Sequence, residues 1–151
     1  MRRQDKYPDT STFHFYNANP KNRITGDCRI RAIAVACEIP YNQVVRELAD
    51  IQCETGYDQT SNQGLDILLK RHGWAKRKQP RKWDNTKYTG KEFCKLLQGG
   101  IEDHDAIVDI VFADRIVANI GGHHIVAIVD GKVWDIWNST SGTIGNYWTK
   151  V

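Results

Sequence analysis

Hydrophobic positions change their spacing about halfway along the chain. After Gly26 and Asp27, apolar residues recur every three or four positions and alanine is frequent, which predicts a helix that begins at Cys28. Asp27 is placed to cap this helix, and Pro40 ends it. The spacing of leucine, valine and phenylalanine predicts further helices over about 42–51, 63–71 and 90–97.

The second half of the chain shows the pattern of β-strands. Three runs at 106–112, 116–118 and 125–129 are rich in β-branched residues and have the length of a strand. Asp130-Gly131 separates the last run from the segment 132–137, and this dipeptide favours a two-residue hairpin turn. The chain is therefore expected to form helices first and a sheet afterwards.

The composition fits one folded domain over residues 1–151, with 1–26 as a partly extended N-terminal arm. Hydrophobic residues make up 40% of the chain and charged residues 26%. No apolar run approaches the ~18 residues of a membrane span, and the N-terminus lacks the apolar stretch of a signal peptide. We expect a cytoplasmic protein that does not contact a membrane.

Positive charge is concentrated in one segment, although the net charge is only +3. Between Lys70 and Lys87 there are eight lysines and arginines, and Asp84 is the only acidic residue among them. A solvated loop accounts for such a segment, and so does a contact with nucleic acid or an acidic partner. Both interpretations stay open on the sequence.

Of the four cysteines, Cys28 has the setting of a nucleophile. It lies at the predicted start of a helix, where unpaired backbone N–H groups and the helix dipole favour a thiolate. Cys37 and Cys94 fall inside helices near apolar positions, as buried cysteines do. No CxxC spacing occurs, so we expect neither disulfides, nor structural zinc, nor a cofactor. Read without a family, Cys28 as a core residue remains an alternative.

A nucleophilic cysteine needs a base, and His124 opens the predicted strand 125–129. His123 competes for this role, and the histidine pair lacks a matched third ligand for a metal site. Asp135 follows His124 by eleven positions, and a hairpin at Asp130-Gly131 brings the two segments together. Asp135 is thus a candidate to orient the imidazole, with a plain surface acid as the alternative.

Three stretches resemble papain-like cysteine peptidases in a minimal form. They are Thr25-Gly26-Asp27-Cys28-Arg29-Ile30-Arg31-Ala32, the segment from Gly122 to Gly131, and Trp134-Asp135-Ile136-Trp137. They are also similar to the peptidase domains that remove bacteriocin leader peptides. The resemblance covers mainly residues 17–37 and 121–139, about a quarter of the chain. It implies an α+β, papain-like fold in which a central helix carries the cysteine and packs, with further helices, on a C-terminal antiparallel sheet.

The resemblance also assigns roles to residues. It implies Cys28 as nucleophile, His124 as base and Asp135 as the orienting residue two positions before a tryptophan. Members of the family carry an amide, generally glutamine, six residues before the nucleophile to bind the oxyanion. Asn22 stands there in this chain, and Asn17 or Asn19 could serve instead.

The activity implied is that of a thiol hydrolase acting on a protein or peptide, most commonly as a cysteine peptidase or isopeptidase. Glutamine deamidation and transglutaminase-like acyl transfer proceed through the same thioester and stay open. An inactive papain-like module that binds partners through the basic 70–87 segment is the competing hypothesis. A small enzyme without a propeptide would suit a bacterial or phage chain.

Overall fold

The computed structural model describes residues 1–99 and 109–151. Its helices are α1 (Arg3–Lys6), α2 (Cys28–Cys37), α3 (Tyr41–Thr55), α4 (Asn62–Arg71) and α5 (Gly90–Leu97). The four helices predicted after Asp27 are confirmed, although α3 continues to Thr55, after which Gly56 ends it with a left-handed φ of 81°. The short helix α1 was not predicted. None of the helices in these two ranges has the length and apolar character needed to cross a membrane.

The strands form one mixed sheet of six members. They are β1 (Phe13–Phe15), β2 (Trp74–Arg77), β3 (Arg115–Ile120), β4 (His124–Val129), β5 (Lys132–Asp135) and β6 (Ile144–Lys150). Their order is β1-β5-β4-β3-β6-β2, with β1 parallel to β5 and every other pair antiparallel. The domain is therefore α+β. The expectation of a purely antiparallel, C-terminal sheet is wrong at both edges, because β1 comes from the N-terminal arm and β2 follows α4.

Two of the three predicted strand runs form strands. β3 and β4 are confirmed, and Asp130 and Gly131 form the predicted tight turn with positive φ angles of 50° and 73°. The prediction over 106–112 lies partly outside the described residues, and its described part, from Asp109 to Phe112, contains no strand. β1, β2 and β6 were missed, since the first two are short and β6 mixes glycine, asparagine and aromatic residues.

Helices cover both faces of the sheet. Val117, Ile125 and Ala127 pack into a cluster with α2, α3 and α4, while their neighbours Val126 and Ile128 pack into the cluster that contains α5. A strand buried on both faces has a continuous apolar sequence instead of an alternating one. This explains the run from 125 to 129 and places β4 in the interior, with His124 as its first residue.

The turn between β4 and β5 tolerates no side chain at its second position. A Cβ on Gly131 would lie 2.5 Å from Cγ of Gln98 and 3.1 Å from the carbonyl oxygen of Cys94. We expect Gly131→Ala to lower the free energy of unfolding by about 2 kcal/mol in urea denaturation, from left-handed strain and the clash together. Gly56→Ala is the matched control, because Gly56 has a φ of 81° and an open surrounding. Gly56→Ala should lower the free energy of unfolding by only about 1 kcal/mol. An equal loss in the Gly131 and Gly56 variants would show that the clash at Gly131 is relieved without cost.

Candidate active site

Helix α2 begins at Cys28, and its first turn lies against strand β4. Asp27 occupies the N-cap position, but the prediction that its side chain caps the helix is wrong. Its carboxylate instead accepts hydrogen bonds from Nε of Arg31 at 2.8 Å, the hydroxyl of Tyr41 at 2.6 Å and Nδ2 of Asn19 at 3.1 Å. A guanidinium is a stronger partner for a buried carboxylate than a backbone N–H, so the capping bond is lost.

The Cys28 thiol is half-buried and lies in contact with strand β4. Burial by itself raises the pKa of a thiol. Hydrogen bonds from the His124 imidazole and the Ile125 backbone N–H, with the positive charges of His124 and Arg29, outweigh this and lower the pKa of Cys28 below its usual value. The surroundings of Cys28 therefore favour the thiolate.

The other cysteines do not share this environment. Burial raises the pKa of Cys37 to about 12, and it does the same for Cys94, which is fully enclosed in the core. Both therefore stay protonated and inert, as expected from their helical positions. Cys53 is exposed on α3. All four are free thiols.

His124 lies between the thiol and a carboxylate. Its Nε2 is 2.5 Å from Oδ2 of Asp135, and its ring also hydrogen-bonds to Cys28. Burial disfavours the charged imidazolium, but the bonds to Asp135 and Cys28 prevail and raise the pKa of His124 to about 9. The Trp137 ring lies 5.0 Å from the imidazole and covers one side of it. The three predicted residues Cys28, His124 and Asp135 are thus brought together.

Asp135 is almost fully enclosed, with 1% of its surface exposed. Besides His124, its carboxylate accepts the Ile136 backbone N–H at 2.7 Å and Nη1 of Arg31 at 2.6 Å. The alternative of a surface acid is therefore wrong. Because Arg31 also bonds Asp27, one guanidinium joins both carboxylates and ties the start of α2 to the end of β5.

Sequence reasoning missed Arg31 and Tyr41. Arg31 is 6% exposed, and its two carboxylate partners raise its pKa in spite of burial. The spacing of Asp27 and Arg31, four residues apart on one helix face, was a usable signal for half of this bridge. Tyr41 could not be found in that way, because the turn between α2 and α3 alone brings its hydroxyl to Asp27.

The predicted oxyanion amides form hydrogen bonds with one another and with neighbouring residues. Asn22 is in an exposed turn with a φ of 54°, and its Oδ1 accepts a weak bond from Nδ2 of Asn17 at 3.4 Å. Asn17 also binds the Arg23 carbonyl, and Asn19 binds Asp27. Within residues 1–99 and 109–151, no hydrogen bond joins these amides to Cys28 or His124. A role for Asn22 stays a prediction.

No family model, curated protein or solved structure matches this chain. The chemical interpretation therefore rests on the geometry of the site. In the part of the chain that the structure describes, no three histidine, cysteine or acidic side chains are grouped so that they could hold a metal ion.

An open cavity of about 280 Å³ adjoins His124 on the side of the β3–β4 turn. Gly121, His123 and Trp137 form its rim, and Ser139 forms part of its wall. The cavity therefore offers room for part of a substrate beside the imidazole.

The basic segment between Lys70 and Lys87 lies in α4, β2 and the loop that follows. Several of its cations have partners within the chain: Lys70 pairs with Asp66, Arg71 with Glu54 and Lys82 with Glu92. Arg77 donates to Oγ1 of Thr149. These contacts reduce the positive charge that the segment offers to a partner.

Proposed function

We propose that this protein is a thiol hydrolase of papain-like type, a cysteine peptidase or isopeptidase that acts through Cys28, His124 and Asp135. One observation carries the proposal: Cys28, whose pKa is lowered, hydrogen-bonds to a histidine that a buried carboxylate orients. A thiol that bonds a base, with an orienting group bonded to that base, has the components of nucleophilic acyl transfer. We further propose that it works in the cytoplasm, where thiols stay reduced.

The reaction would begin with a thiolate–imidazolium pair. The Cys28 sulfur attacks the substrate carbonyl, and the backbone N–H of Cys28, free at the first turn of α2, donates to the developing oxyanion. When the tetrahedral intermediate collapses, the carbon–nitrogen bond breaks and His124 gives its proton to the leaving amine. His124 then takes a proton from water, which attacks the thioester and releases the acid and the free thiol.

Asp135 would act by holding the imidazole. Its bond to Nε2 fixes the orientation of the ring and leaves the other ring nitrogen, Nδ1, for Cys28. The proton exchanged with the sulfur is therefore the one on Nδ1. Glutamine deamidation and acyl transfer to an amine need the same first step, and they differ only in the group that leaves or enters. Hydrolysis of a peptide or isopeptide bond is the commonest use of such a site.

The experiment that tests the proposal is alkylation by iodoacetamide between pH 5 and 9, followed at each cysteine by peptide mass spectrometry. Since the pKa of Cys28 is lowered, its rate should already level off below the pH of ~8.5 at which an ordinary thiol titrates. At pH 6 we expect Cys28 to react at least ~10-fold faster than the exposed Cys53, with Cys37 and Cys94 protected.

Cys53 is the internal control, because it reports the reactivity of an accessible thiol in the same sample. A Cys28 rate that rises in parallel with that of Cys53 up to pH ~8.5 would contradict a thiolate–imidazolium pair. In that case the inactive scaffold becomes the leading hypothesis. Its signature would be an affinity of the 70–87 segment for polyanions that falls steeply with salt.

A further inference from the structure

Arg29 follows the nucleophile directly, and its guanidinium lies beside the reactive sulfur. Nη1 is 3.9 Å from Sγ of Cys28, and Nη2 donates to Oδ1 of Asn62 at 2.8 Å. Asn62 is the first residue of α4, so the guanidinium is held between two helices. Arg29 is therefore a positioned group and not a freely moving surface side chain.

This guanidinium retains an unused donor. Nε of Arg29 is shielded from solvent, and it has no hydrogen-bond partner among the residues that the structure describes. In the same ranges no carboxylate lies within ion-pair distance of Arg29. The Arg29 charge interacts at longer range with the Asp58 carboxylate and with Cys28. A buried N–H without an acceptor nevertheless costs free energy. The arrangement is incomplete until an acceptor reaches it.

A cavity of about 130 Å³ lies at this position, well above the ~10–15 Å³ that one water needs. Its lining consists of Gly26, Asp27, Arg29, Ile30, Gln59 and Thr60. The Asp27 carboxylate is already committed to Arg31, Tyr41 and Asn19. The neighbouring Asp58 carboxylate binds Thr60. Neither carboxylate accepts a hydrogen bond from Arg29 within the described residues, so its Nε donor is left for an incoming anion.

Arg29 links the smaller cavity to the nucleophile, because it lines that cavity and its Nη1 lies 3.9 Å from Sγ of Cys28. In the proposed reaction this sulfur carries the acyl part of the substrate, so Arg29 lies near that part. We propose that Arg29 and its cavity bind the carboxylate of an acidic side chain in the acyl part of the substrate. This inference rests on the proposed function, and it names aspartyl or glutamyl substrates as the preferred class. A guanidinium suits this task because its N–H groups match a carboxylate in charge and in geometry.

The test uses three acyloxymethyl ketones that differ in one residue: acetyl-aspartyl, acetyl-asparaginyl and acetyl-lysyl. Each forms a thioether when the Cys28 sulfur displaces the carboxylate leaving group, and peptide mass spectrometry gives the rate. With the full chain we expect the aspartyl reagent to react at least 10-fold faster than the asparaginyl one, and the lysyl reagent to be slowest. Arg29→Gln should reduce the aspartyl-to-asparaginyl ratio to below 2, and Arg29→Lys should keep part of it.

The ratio isolates recognition, because any change in sulfur reactivity affects both reagents alike. Arg46→Gln is the matched control, since Arg46 is exposed on α3 and its loss removes the same charge. It should leave the ratio unchanged. Equal rates for the two reagents in the unmodified protein, or a preference that survives Arg29→Gln, would overturn the proposal.

A second measurement separates this inference from the proposed function. With Cys28→Ser, N-acetyl-aspartate methylamide should shift the NMR signal of the Arg29 Nε–H saturably, while N-acetyl-asparagine methylamide should not. The absence of a shift with either ligand would also overturn the carboxylate site. If iodoacetamide shows that Cys28 is unreactive, the proposed function fails and this measurement still decides the binding site.

Discussion

Replacing Arg31 with methionine should lower the free energy of unfolding by about 3–5 kcal/mol, measured by urea denaturation at pH 7. Methionine fills much of the same volume but removes the charge. It would leave the Asp27 carboxylate enclosed without a counter-ion, and Asp135 with His124 as its remaining cationic partner. Removal of one member of a buried ion network is costly for that reason, whatever the net contribution of the intact network.

The matched control for this variant is Arg71→Met. Arg71 pairs with Glu54 at 2.8 Å, the same distance as that between Arg31 and Asp27, but both partners are about half exposed. Water screens such a pair, so the loss should stay below about 1 kcal/mol. Similar losses in the two variants would show that burial of the network does not determine its contribution.

A double variant keeps the prediction testable if Arg31→Met fails to fold. Adding Asp27→Asn to Arg31→Met removes the carboxylate that has lost its counter-ion, and we expect it to recover part of the lost stability. Acid should act in the same direction, because protonation neutralises carboxylates whose pKa has risen for want of a counter-ion. A double variant less stable than the single one would contradict the electrostatic explanation.

Replacing His124 with alanine should slow alkylation of Cys28 at pH 6 by about 10- to 100-fold. Without the imidazolium, the thiol returns towards a pKa of ~8.5, and only ~0.3% of it is thiolate at pH 6. The more basic thiolate is also more nucleophilic, which recovers part of the loss. The measurement is the same peptide-resolved reaction with iodoacetamide, with Cys53 as the reference within each sample.

His123→Ala is the control that decides between the two adjacent histidines. His123 is exposed at the rim of the cavity beside Trp137, whereas the side chain of His124 bonds Asp135. The His123 variant should therefore keep the rate of the unmodified protein within about 2-fold, since it removes no contact to the sulfur. A larger loss from His123→Ala than from His124→Ala would reverse the assignment of the base.

The local sequence predicted the parts of the site that depend on neighbours along the chain. The three- and four-residue spacing after Asp27 placed Cys28 at a helix start, and Asp130-Gly131 placed a tight turn between β4 and β5. Because that turn joins two antiparallel strands, it brought the segment of Asp135 near His124. These are short-range constraints, and each is confirmed in the fold.

Contacts between distant segments were not accessible in the same way. The bond between Arg31 and Asp135 spans 104 positions, and β1 joins the sheet through a partner about 120 residues away. The spacing of hydrophobic and polar residues along the chain does not predict such a pairing. The predicted oxyanion amide shows the same limit, because a count of six residues before Cys28 does not reveal that Asn22 lies in an exposed turn tied to Asn17.

The sequence by itself determined the four helices after Asp27, the hairpin and the candidacy of Cys28, His124 and Asp135, because hydrophobic period, turn chemistry and helix polarity act within a few residues. The tertiary structure alone decided the rest: which cysteine lies beside a histidine, that the Asp135 carboxylate is enclosed, and that Arg31 holds it. Those properties arise from packing α2 onto the interior strand β4. Only then are the thiol, the imidazole and the carboxylate withdrawn from water and held in line, which is the condition under which they change one another's pKa.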